Sequence, residues 1–392
     1  MTGAFGLATV PALHFGAGKI AVLPSVIKPF GSKVLLVTGA NALMNSPHGE
    51  ELLALLKSHG MAVHHCRIPK EPTPDMIDEA VKEFAGHDPS VVVAIGGGSV
   101  LDAGKAISAM LPLQDSVKNY LEGVGTKSHP GDKIPFVAVP TTSGTGSEAT
   151  KNAVLSEVGE AGYKKSLRHN RFVPDVAIVD PALTVNCPPA TTAASGMDAF
   201  TQLLESYVST AANPITDALA FEGLKHISNA LLRVYRDGGD LGARTDMALA
   251  SYLSGITLAN AGLGLVHGFA SAIGGYFDIA HGVICSALMG PANEVTVRKL
   301  RAGDTKAAAA LHKYAAVGKL FSGLGDKTDA YYVDHLLSVI ANYTRELEIP
   351  NLATFGVKPA DLDRIVNASD NKNNPIALDR EEMIEVLEMA CS

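Results

Sequence analysis

The hydrophobic pattern changes half-way along the sequence, and this change most limits the folds that the chain can adopt. The first half contains short, continuous apolar runs, which are typical of strands buried on both faces of a parallel sheet. These runs are KVLLVTG (33–39), VVVAIGGG (91–98), PFVAVPTT (135–142) and VAIVD (176–180). Segments with helical spacing separate them, for example GEELLALLKSHG and PDMIDEAVKEFAG. The alternation predicts a βαβ series with the layered architecture of an α/β fold.

Helical patterns alone fill the second half of the chain, from about residue 183 onward. The clearest of them are ATTAASGMDAFTQLLESYVS, TDALAFEGLKHISNALLRVY, TKAAAALHKYAAVGKLF and REEMIEVLEMA. A chain of 392 residues is also too long for one ordinary core. We therefore predict two domains, an α/β domain over residues 1–182 and an all-helical domain over residues 183–392. Pro188-Pro189 is expected at or just before the first helix of the second domain.

The composition is that of an ordinary globular protein, with 47% hydrophobic and 18% charged residues. A formal net charge of -8 argues against a general nucleic-acid or anionic-membrane surface, so we expect a small-molecule partner. No apolar stretch reaches the roughly 18–20 residues of a membrane helix, and the N-terminus lacks a signal-peptide pattern, which predicts a cytoplasmic protein. The widely spaced cysteines predict neither a disulfide framework nor a cysteine zinc site; they are Cys66, Cys187, Cys285 and Cys391.

A glycine-rich turn follows the apolar run VVVAI and precedes a helical pattern. Gly96, Gly97 and Gly98, followed by Ser99, allow backbone N–H groups to converge on an anion at a helix N-terminus. The turn is therefore a candidate pyrophosphate site. It matches neither the G-x-G-x-x-G fingerprint nor a P-loop, and a tight turn without a ligand remains the alternative.

A second small, hydroxyl-rich segment, PTTSGTGSE (140–148), follows the next apolar run. Ligands of open α/β sheets bind outside the carboxyl ends of the strands. Two such segments after neighbouring strands could therefore share one dinucleotide. A Ser/Thr turn with local backbone bonds is the alternative.

The helical half contains a candidate set of metal ligands. Asp198 and Gln202 are four residues apart and share one helix face, whereas His267 and His281 flank a break at Gly274-Gly275. A carboxylate and two imidazoles suit zinc or ferrous iron and leave coordination positions open for a substrate oxygen. Alternatively, the histidines are structural residues and Asp198 is a charge near a helix start.

Four motifs, in order, resemble consecutive signatures of the iron-containing alcohol dehydrogenase family. They are GGGSVLDAGKA, VPTTSGTGSEAT, GMDAFTQLLESY and GLGLVHGFASAIGGYFDIAHGV. The resemblance extends from FGAGKIAVLP to the late Asn374-Pro375. It implies an N-terminal dinucleotide-binding domain and a helical C-terminal domain similar to those of dehydroquinate synthase and glycerol dehydrogenase. The cofactor, metal and substrate would then lie in a cleft between the two domains.

The resemblance also implies the residues that bind the cofactor. Lys164 aligns with a family lysine that approaches the cofactor, and a slip by one residue to Lys165 is left open. The pyrophosphate would contact the glycine-rich motif, at Gly97, Gly98, Ser99 and Asp102. The ribose and nicotinamide would be lined by the threonines of the second motif, which are Thr141, Thr142, Thr145 and Thr150.

The usual ligand set of the family, one aspartate and three histidines, implies Asp198, His267 and His281 here, acting in catalysis through the metal. Gln202 stands where the third histidine is expected. Its amide oxygen is a weaker, neutral donor than imidazole, so Gln202 either ligates weakly or only hydrogen-bonds. We predict one divalent metal, Fe(II) or zinc. At Ser271 members often carry a proton-relaying histidine, and serine cannot buffer near neutral pH. Solvent, the ribose hydroxyls or another side chain would then carry the proton.

Gly39 ends the run KVLLVTG, where NAD-preferring members of the family often place an aspartate that repels a 2′-phosphate. Glycine removes this repulsion, so we predict that the cofactor is NAD(P) and that NADP is accepted or preferred. No arginine stands immediately beside Gly39 in the sequence to hold the extra phosphate.

The sequence therefore predicts an NAD(P)-dependent alcohol dehydrogenase, or aldehyde reductase, that moves hydride between nicotinamide and a small alcohol or aldehyde with the help of the metal. The resemblance implies a homodimer or a larger homo-oligomer. A metal-independent reductase resembling maleylacetate reductase is the first alternative, favoured by the missing histidine at position 202. Two alternatives are less favoured. One is a dehydroquinate synthase-like lyase, which normally presents glutamate where this chain has Asp198, and the other is a catalytically silent nucleotide sensor.

Overall fold

A parallel sheet forms the centre of the first half of the chain in the computed structural model, which describes residues 4–40, 47–303 and 305–392. Its spatial order is β1-β8-β5-β4-β2-β3, and every pair is parallel. The strands are β1 (Ala12–Phe15), β2 (Lys33–Gly39), β3 (Ala62–Ile68), β4 (Val91–Gly96), β5 (Phe136–Pro140) and β8 (Val176–Val179), and a separate antiparallel hairpin contains β6 (Asn152–Glu157) and β7 (Tyr163–Arg168).

Helices cover both faces of this sheet, because the strands are apolar on both sides. Leu35 and Val37 of β2 share one core with α3 and α4, whereas Val34 and Leu36 share the opposite core with α1 and α2. The helices are α1 (Leu23–Ile27), α2 (Pro47–Ser58), α3 (Pro74–Phe84) and α4 (Gly98–Met110). The resulting three layers confirm the predicted α/β architecture.

The strand order reverses between β2 and β4. From β2 the chain moves outward to the edge strand β3, and then returns to place β4, β5 and β8 on the other side of β2. In open α/β sheets a dinucleotide binds at such a switch point, outside the carboxyl ends of the strands. Gly39 and Gly96, the last residues of β2 and β4, lie at this point.

Helices make up the regular structure of the second half, among the residues that the structure describes, with short 3-10 turns. Pro188 is the N-cap of the first long helix and Pro189 its first residue, as the sequence predicts. The helices are α5 (Pro189–Val208), α6 (Pro214–Arg236), α7 (Leu241–Ala261), α8 (Leu265–Tyr276), α9 (His281–Arg301), α10 (Thr305–Ser322), α11 (Asp329–Glu346), α12 (Leu362–Ala368) and α13 (Arg380–Ala390). The domain division at residue 182, which stays a prediction, falls in the 3-10 turn Pro181–Thr184.

Among the described residues, no single helix is long and apolar enough to cross a membrane. By length and composition alone, the consecutive helices α7 and α8, which are bent by 98°, meet the requirement together.

The predicted break at Gly274-Gly275 is wrong, because both glycines lie inside α8 and the chain leaves the helix only at residues 277–280. These glycines instead allow α8 to approach the β6–β7 hairpin closely. A Cβ atom at Gly275 would lie 2.8 Å from the Cα atom of Tyr163, and one at Gly274 would lie 2.9 Å from Cδ of Lys164. Close packing here outweighs the roughly 1 kcal/mol that a glycine costs in a helix.

The helix α4 packs closely on the sheet at Gly104, so a larger residue at this position tests the fold. A Cβ atom there would lie 2.6 Å from Cβ of Ala94 and 3.0 Å from Cε2 of Phe136. We expect Gly104→Val to lower the free energy of unfolding by about 1–3 kcal/mol through overpacking, measured by urea and thermal denaturation. Gly86→Val is the matched control, since a Cβ atom at Gly86 meets nothing within 4 Å. Equal stability of the two variants would contradict this packing.

Candidate active site

The glycine-rich turn joins β4 to α4 at the switch point of the sheet. Gly97 is the N-cap of α4 and has no side chain to cap the helix. The first N–H groups of the helix are therefore available to an anion. A Cβ atom at Gly98 would lie 2.7 Å from Cγ2 of Thr145. Glycine is therefore required at position 98 by the neighbouring loop, and its contact with a pyrophosphate stays a prediction.

The second loop, residues 140–150, lies directly beside this turn. The N–H of Thr141 donates to the carbonyl of Gly96 at 2.9 Å, and a Cβ atom at Gly97 would lie 3.4 Å from Thr142. The predicted proximity of Thr141, Thr142 and Thr145 to the glycine turn is thus observed. Their contacts with a nucleotide remain a prediction.

A buried lysine ties the second loop to α4. The ammonium group of Lys105 donates to the backbone and hydroxyl oxygens of Ser147, to the hydroxyl of Thr150 and to the carbonyl of Asn152, at 2.8–3.2 Å. Burial lowers the pKa of Lys105 to about 8. The hydroxyl of Thr150 therefore has a protein partner, Lys105 of α4, and its predicted contact with the cofactor stays a prediction.

Asp102 reinforces the same connection. Its carboxylate accepts from the hydroxyl of Ser147 and from the N–H of Val154 on β6. Both carboxylate oxygens thus have protein partners. This geometry gives Asp102 a positioning role, and its predicted contact with the pyrophosphate is untested.

Glycines of the second loop also contact the helical half. A Cβ atom at Gly144 would lie 2.7 Å from Cβ of Ser195 on α5, and one at Gly146, where φ is +61°, would lie 2.5 Å from the backbone of Gly255 on α7. The loop is thereby wedged between the sheet and the helices. The nucleotide edge of the sheet and the helical half consequently meet at one cleft.

Three predicted metal ligands converge on the helical side of this cleft. His267 Nε2 lies 3.3 Å from Oδ1 of Asp198, and His281 Nε2 lies 3.9 Å from the same oxygen. The sulfur of Cys285 lies 3.7 Å from His267 Nε2 and 3.6 Å from His281 Nε2. One ligand atom from each of the four side chains lies within 4.8 Å of the others.

These residues fit a divalent metal. Oδ1 of Asp198 is buried and has no hydrogen-bond partner, which is costly for a carboxylate oxygen unless a cation compensates it. Burial acts to raise the pKa of Asp198, but His281 and His267 lower it below its usual value, so the group is ionised. The side chain of His281 is 24% exposed, so the cluster opens to the cleft.

Glu205 orients His267. Its carboxylate accepts from Nδ1 of His267 at 2.7 Å and from the N–H of Val266 at 2.7 Å. An outer carboxylate that fixes the tautomer and direction of a ligating imidazole is common at metal sites. Burial acts to lower the pKa of His267, but Cys285, Glu205 and Asp198 together raise it well above its usual value.

Gln202 lies on the same face of α5 as Asp198, as predicted, but both ends of its amide are engaged. Nε2 donates to Oδ2 of Asp198 at 3.1 Å, and Oε1 accepts from the hydroxyl of Ser254 at 2.8 Å. The arrangement leaves Oδ1 of Asp198 facing the histidines. Ligation by Gln202 itself remains a prediction.

Ser271, where a proton-relaying histidine was expected in this family, is turned back onto its own helix. Its hydroxyl donates to the carbonyl of His267 at 2.9 Å. Serine at this position therefore contributes a local helix contact in place of an ionisable group.

Lys164 is turned towards the site, whereas its neighbour Lys165 is exposed. Its ammonium donates to both carboxylate oxygens of Glu71, at 2.7 and 2.8 Å. Burial, and to a smaller extent Lys164, lower the pKa of His281 to about 4, against the attraction of Asp198. The alignment on Lys164 therefore fits the structure better than a slip to Lys165.

Comparison with known proteins identifies the family of this chain. The model of the iron-containing alcohol dehydrogenases matches residues 11–181, and that of the Fe-containing alcohol dehydrogenase family, C-terminal, matches residues 192–391. The chain belongs to the iron-containing alcohol dehydrogenase family. It is accordingly an NAD(P)-dependent alcohol dehydrogenase, which confirms the predicted family, fold and enzyme class.

Relatives of this alcohol dehydrogenase cover most or all of its length. It is 39% identical over 274 residues to long-chain-alcohol dehydrogenase 1 of Geobacillus thermodenitrificans, covering 69% of this chain and 68% of that protein. It is 32% identical over 399 residues to alcohol dehydrogenase 4 of Saccharomyces cerevisiae, covering 100% of this chain and 99% of that protein. Among solved structures, a 1,3-propanediol oxidoreductase has 29% identity and a TM-score of 0.87, and the match covers 99% of this chain and 100% of that one.

Sequence reasoning missed three side chains at the active site of this alcohol dehydrogenase: Glu71, Glu205 and Cys285. Cys285 had an available signal, since it follows His281 by four residues and therefore shares its helix face. Glu205 also had one, because it lies three residues after Gln202 and seven after Asp198, on the same face of α5. Glu71 had none, because it reaches its partner only through tertiary packing. Glu205 and His267 are 62 residues apart, and Glu71 and Lys164 are 93 apart.

Glu148, in the second loop, gives this site a pH-dependent contribution to stability. Burial raises its pKa from the ordinary 4.5 to about 7. Because the pKa of Glu148 is higher in the folded than in the unfolded state, its protonated form stabilises the fold. This contribution is fully present below the unfolded-state pKa and is lost as pH rises through about 7. Glutamine at position 148 carries no charge at any of these pH values. The free energy of unfolding of Glu148→Gln, relative to that of wild type, should therefore increase by up to about 3 kcal/mol from pH 5 to pH 8.

Thermal unfolding of Glu148→Gln and wild type at pH 5 and pH 8 measures this difference. A constant difference in unfolding temperature across the range would show that Glu148 does not titrate in the folded protein at these pH values.

Proposed function

We propose that this dehydrogenase transfers hydride between C4 of NAD(P) and the carbonyl or carbinol carbon of a small alcohol or aldehyde, with a divalent metal at Asp198, His267 and His281. One observation carries the metal-assisted mechanism: the buried, unpartnered Oδ1 of Asp198 faces two imidazole nitrogens. This group lies in the same cleft as the glycine turn and the second loop.

The residues of the chain would divide the work as follows. The turn at Gly97, Gly98 and Ser99 would bind the pyrophosphate through backbone N–H groups at the start of α4. The threonines beside it would position the nicotinamide end of the cofactor. A metal at the carboxylate and the two imidazoles would polarise the substrate oxygen and stabilise negative charge on it.

Proton transfer at the substrate oxygen requires a separate route. Ser271 donates to the carbonyl of His267 and cannot act as a buffer near neutral pH. We propose that solvent in the open part of the cleft, beside the partly exposed His281, or the ribose hydroxyls of the cofactor carry this proton.

Metal removal tests the mechanism and separates it from a metal-independent reductase. Dialysis against a chelator should abolish aldehyde reduction with NADPH or NADH, because the negative charge on the substrate oxygen loses its main stabilisation. Fe(II) or zinc should restore the activity. Elemental analysis of the purified protein is the companion measurement. Full reductase activity with less than about one-tenth equivalent of iron and zinc would overturn the metal mechanism.

The site at the end of β2 supports acceptance of NADP. A Cβ atom at Gly39 would meet only Cγ2 of Val100, at 3.6 Å, so the position has space and no charge. In the sheet, Arg67 of β3 pairs with Thr38, one residue before Gly39, and its side chain is exposed. Arg67 is far from Gly39 in sequence but lies on the strand beside β2, and it is a candidate partner for a 2′-phosphate.

Substitution of Gly39 tests the cofactor proposal. Gly39→Asp should lower kcat/KM for NADPH by at least about tenfold relative to NADH, because two negative charges then meet at short range. Gly39→Asn, which has the same size without the charge, is the matched control and should change the ratio less. A wild-type preference for NADH of about a hundredfold or more would contradict the proposal.

The family supports small alcohols or aldehydes as substrates. We further propose a homodimer or a larger homo-oligomer, and a cytoplasmic location. Light scattering during size-exclusion chromatography would determine the oligomeric state.

A further inference from the structure

We propose that Cys285 is the fourth protein ligand of the metal site, in the place of the missing histidine, and that its sulfur makes the site prefer zinc to ferrous iron. The inference rests on the proposed function, because it concerns the same metal. It adds a ligand that the resemblance to the family does not supply. The metal would then be held by one carboxylate, two imidazoles and one thiolate, and a substrate oxygen would bind as a fifth ligand.

The position of Cys285 follows from its helix. His281 is the first residue of α9, and Cys285 lies one turn later, so both side chains project from the same face. The thiol is fully buried. Its sulfur lies at nearly equal distances from the Nε2 atoms of His267 and His281, at 3.7 and 3.6 Å.

The distances within the cluster are close to those of a tetrahedral metal site, except that His281 Nε2 lies 3.9 Å from Asp198 Oδ1. With metal–sulfur bonds of about 2.3 Å and metal–nitrogen bonds of about 2.0–2.1 Å, a tetrahedral centre separates sulfur and nitrogen by about 3.6 Å. The same geometry separates a nitrogen and an oxygen ligand by about 3.4 Å. The observed distance between His267 Nε2 and Asp198 Oδ1 is 3.3 Å.

Gln202 leaves this fourth place free. Its oxygen accepts from Ser254, and its nitrogen donates to Asp198. A neutral amide in this orientation supports the carboxylate and presents no oxygen to the histidines. In the usual set of the family, two ligands four residues apart lie on one helix, at the positions of Asp198 and Gln202. In this chain the second ligand on α5 is absent, and two ligands four residues apart lie on α9, at His281 and Cys285.

The chemistry of the donor set indicates the metal. Thiolate is a soft ligand, and zinc sites commonly combine cysteine, histidine and carboxylate. Binding removes one proton from the thiol, and a metal-bound thiol is deprotonated. The carboxylate and thiolate together then balance the charge of a divalent ion, which suits a buried centre.

X-ray absorption of the zinc-loaded wild-type protein tests the proposal directly. We expect one sulfur scatterer at about 2.3 Å, and the cobalt-substituted protein should show a thiolate-to-cobalt charge-transfer band. Both signals should disappear in Cys285→Ser. They should persist in Cys66→Ser, the control for another buried thiol, on β3. A wild-type zinc site with only nitrogen and oxygen ligands would overturn the proposal, whether or not the variants fold.

Metal affinity provides the second readout. Cys285→Ser should weaken zinc binding by at least about tenfold and lower the zinc-to-iron ratio taken up from an equimolar mixture. Adding Gln202→His to Cys285→Ser should restore affinity by supplying an imidazole in the same site. Unchanged affinity and selectivity in a folded Cys285→Ser protein would overturn the proposal.

The two proposals can fail separately. Metal-dependent hydride transfer without a sulfur ligand would reject Cys285 and retain the proposed function. Full activity without bound metal would reject both.

Discussion

The buried carboxylate of Asp198 is the group on which the arrangement of the active site depends. Removing an ionised group from water costs several kcal/mol unless opposite charge and hydrogen bonds compensate it. Gln202 satisfies one oxygen, and the imidazoles of His267 and His281 approach the other. Helices α5, α8 and α9 meet at this carboxylate, and the partly exposed His281 is the member of the group that solvent reaches.

A second buried charge organises the nucleotide side of the cleft. Lys105 and Asp102 project from α4 and bind the loop that follows β5 through its backbone and hydroxyl groups. Gly97 and Gly98 leave room for the second loop, and Gly144 and Gly146 of that loop leave room for α5 and α7, so the loop after β5 packs against both the glycine turn and the helical half. Lys105, Asp102 and the glycines together hold the second loop between the sheet and the helical half.

The sequence predicted some elements well and others poorly, for physical reasons. The runs at 33–39 and 91–98 were recognisable because interior strands are apolar on both faces. The edge strand β3 was not, since its positions outside the core carry the half-buried His64 and His65 and the exposed Arg67. A helix containing Gly274-Gly275 was interpreted as broken, because glycine is a poor helix former and the close approach of the hairpin was invisible.

The candidate positions could be read from the sequence: glycines after a buried strand, hydroxyls after the next, and Asp198 with two later histidines. These signals are local, or are carried by ordered motifs. The contacts among these groups depend on the fold. It turned Gln202 towards Ser254, set Glu205 behind His267 and brought Cys285 against both imidazoles. These relations depend on how helices cross, which follows from packing across the whole core and not from any one segment.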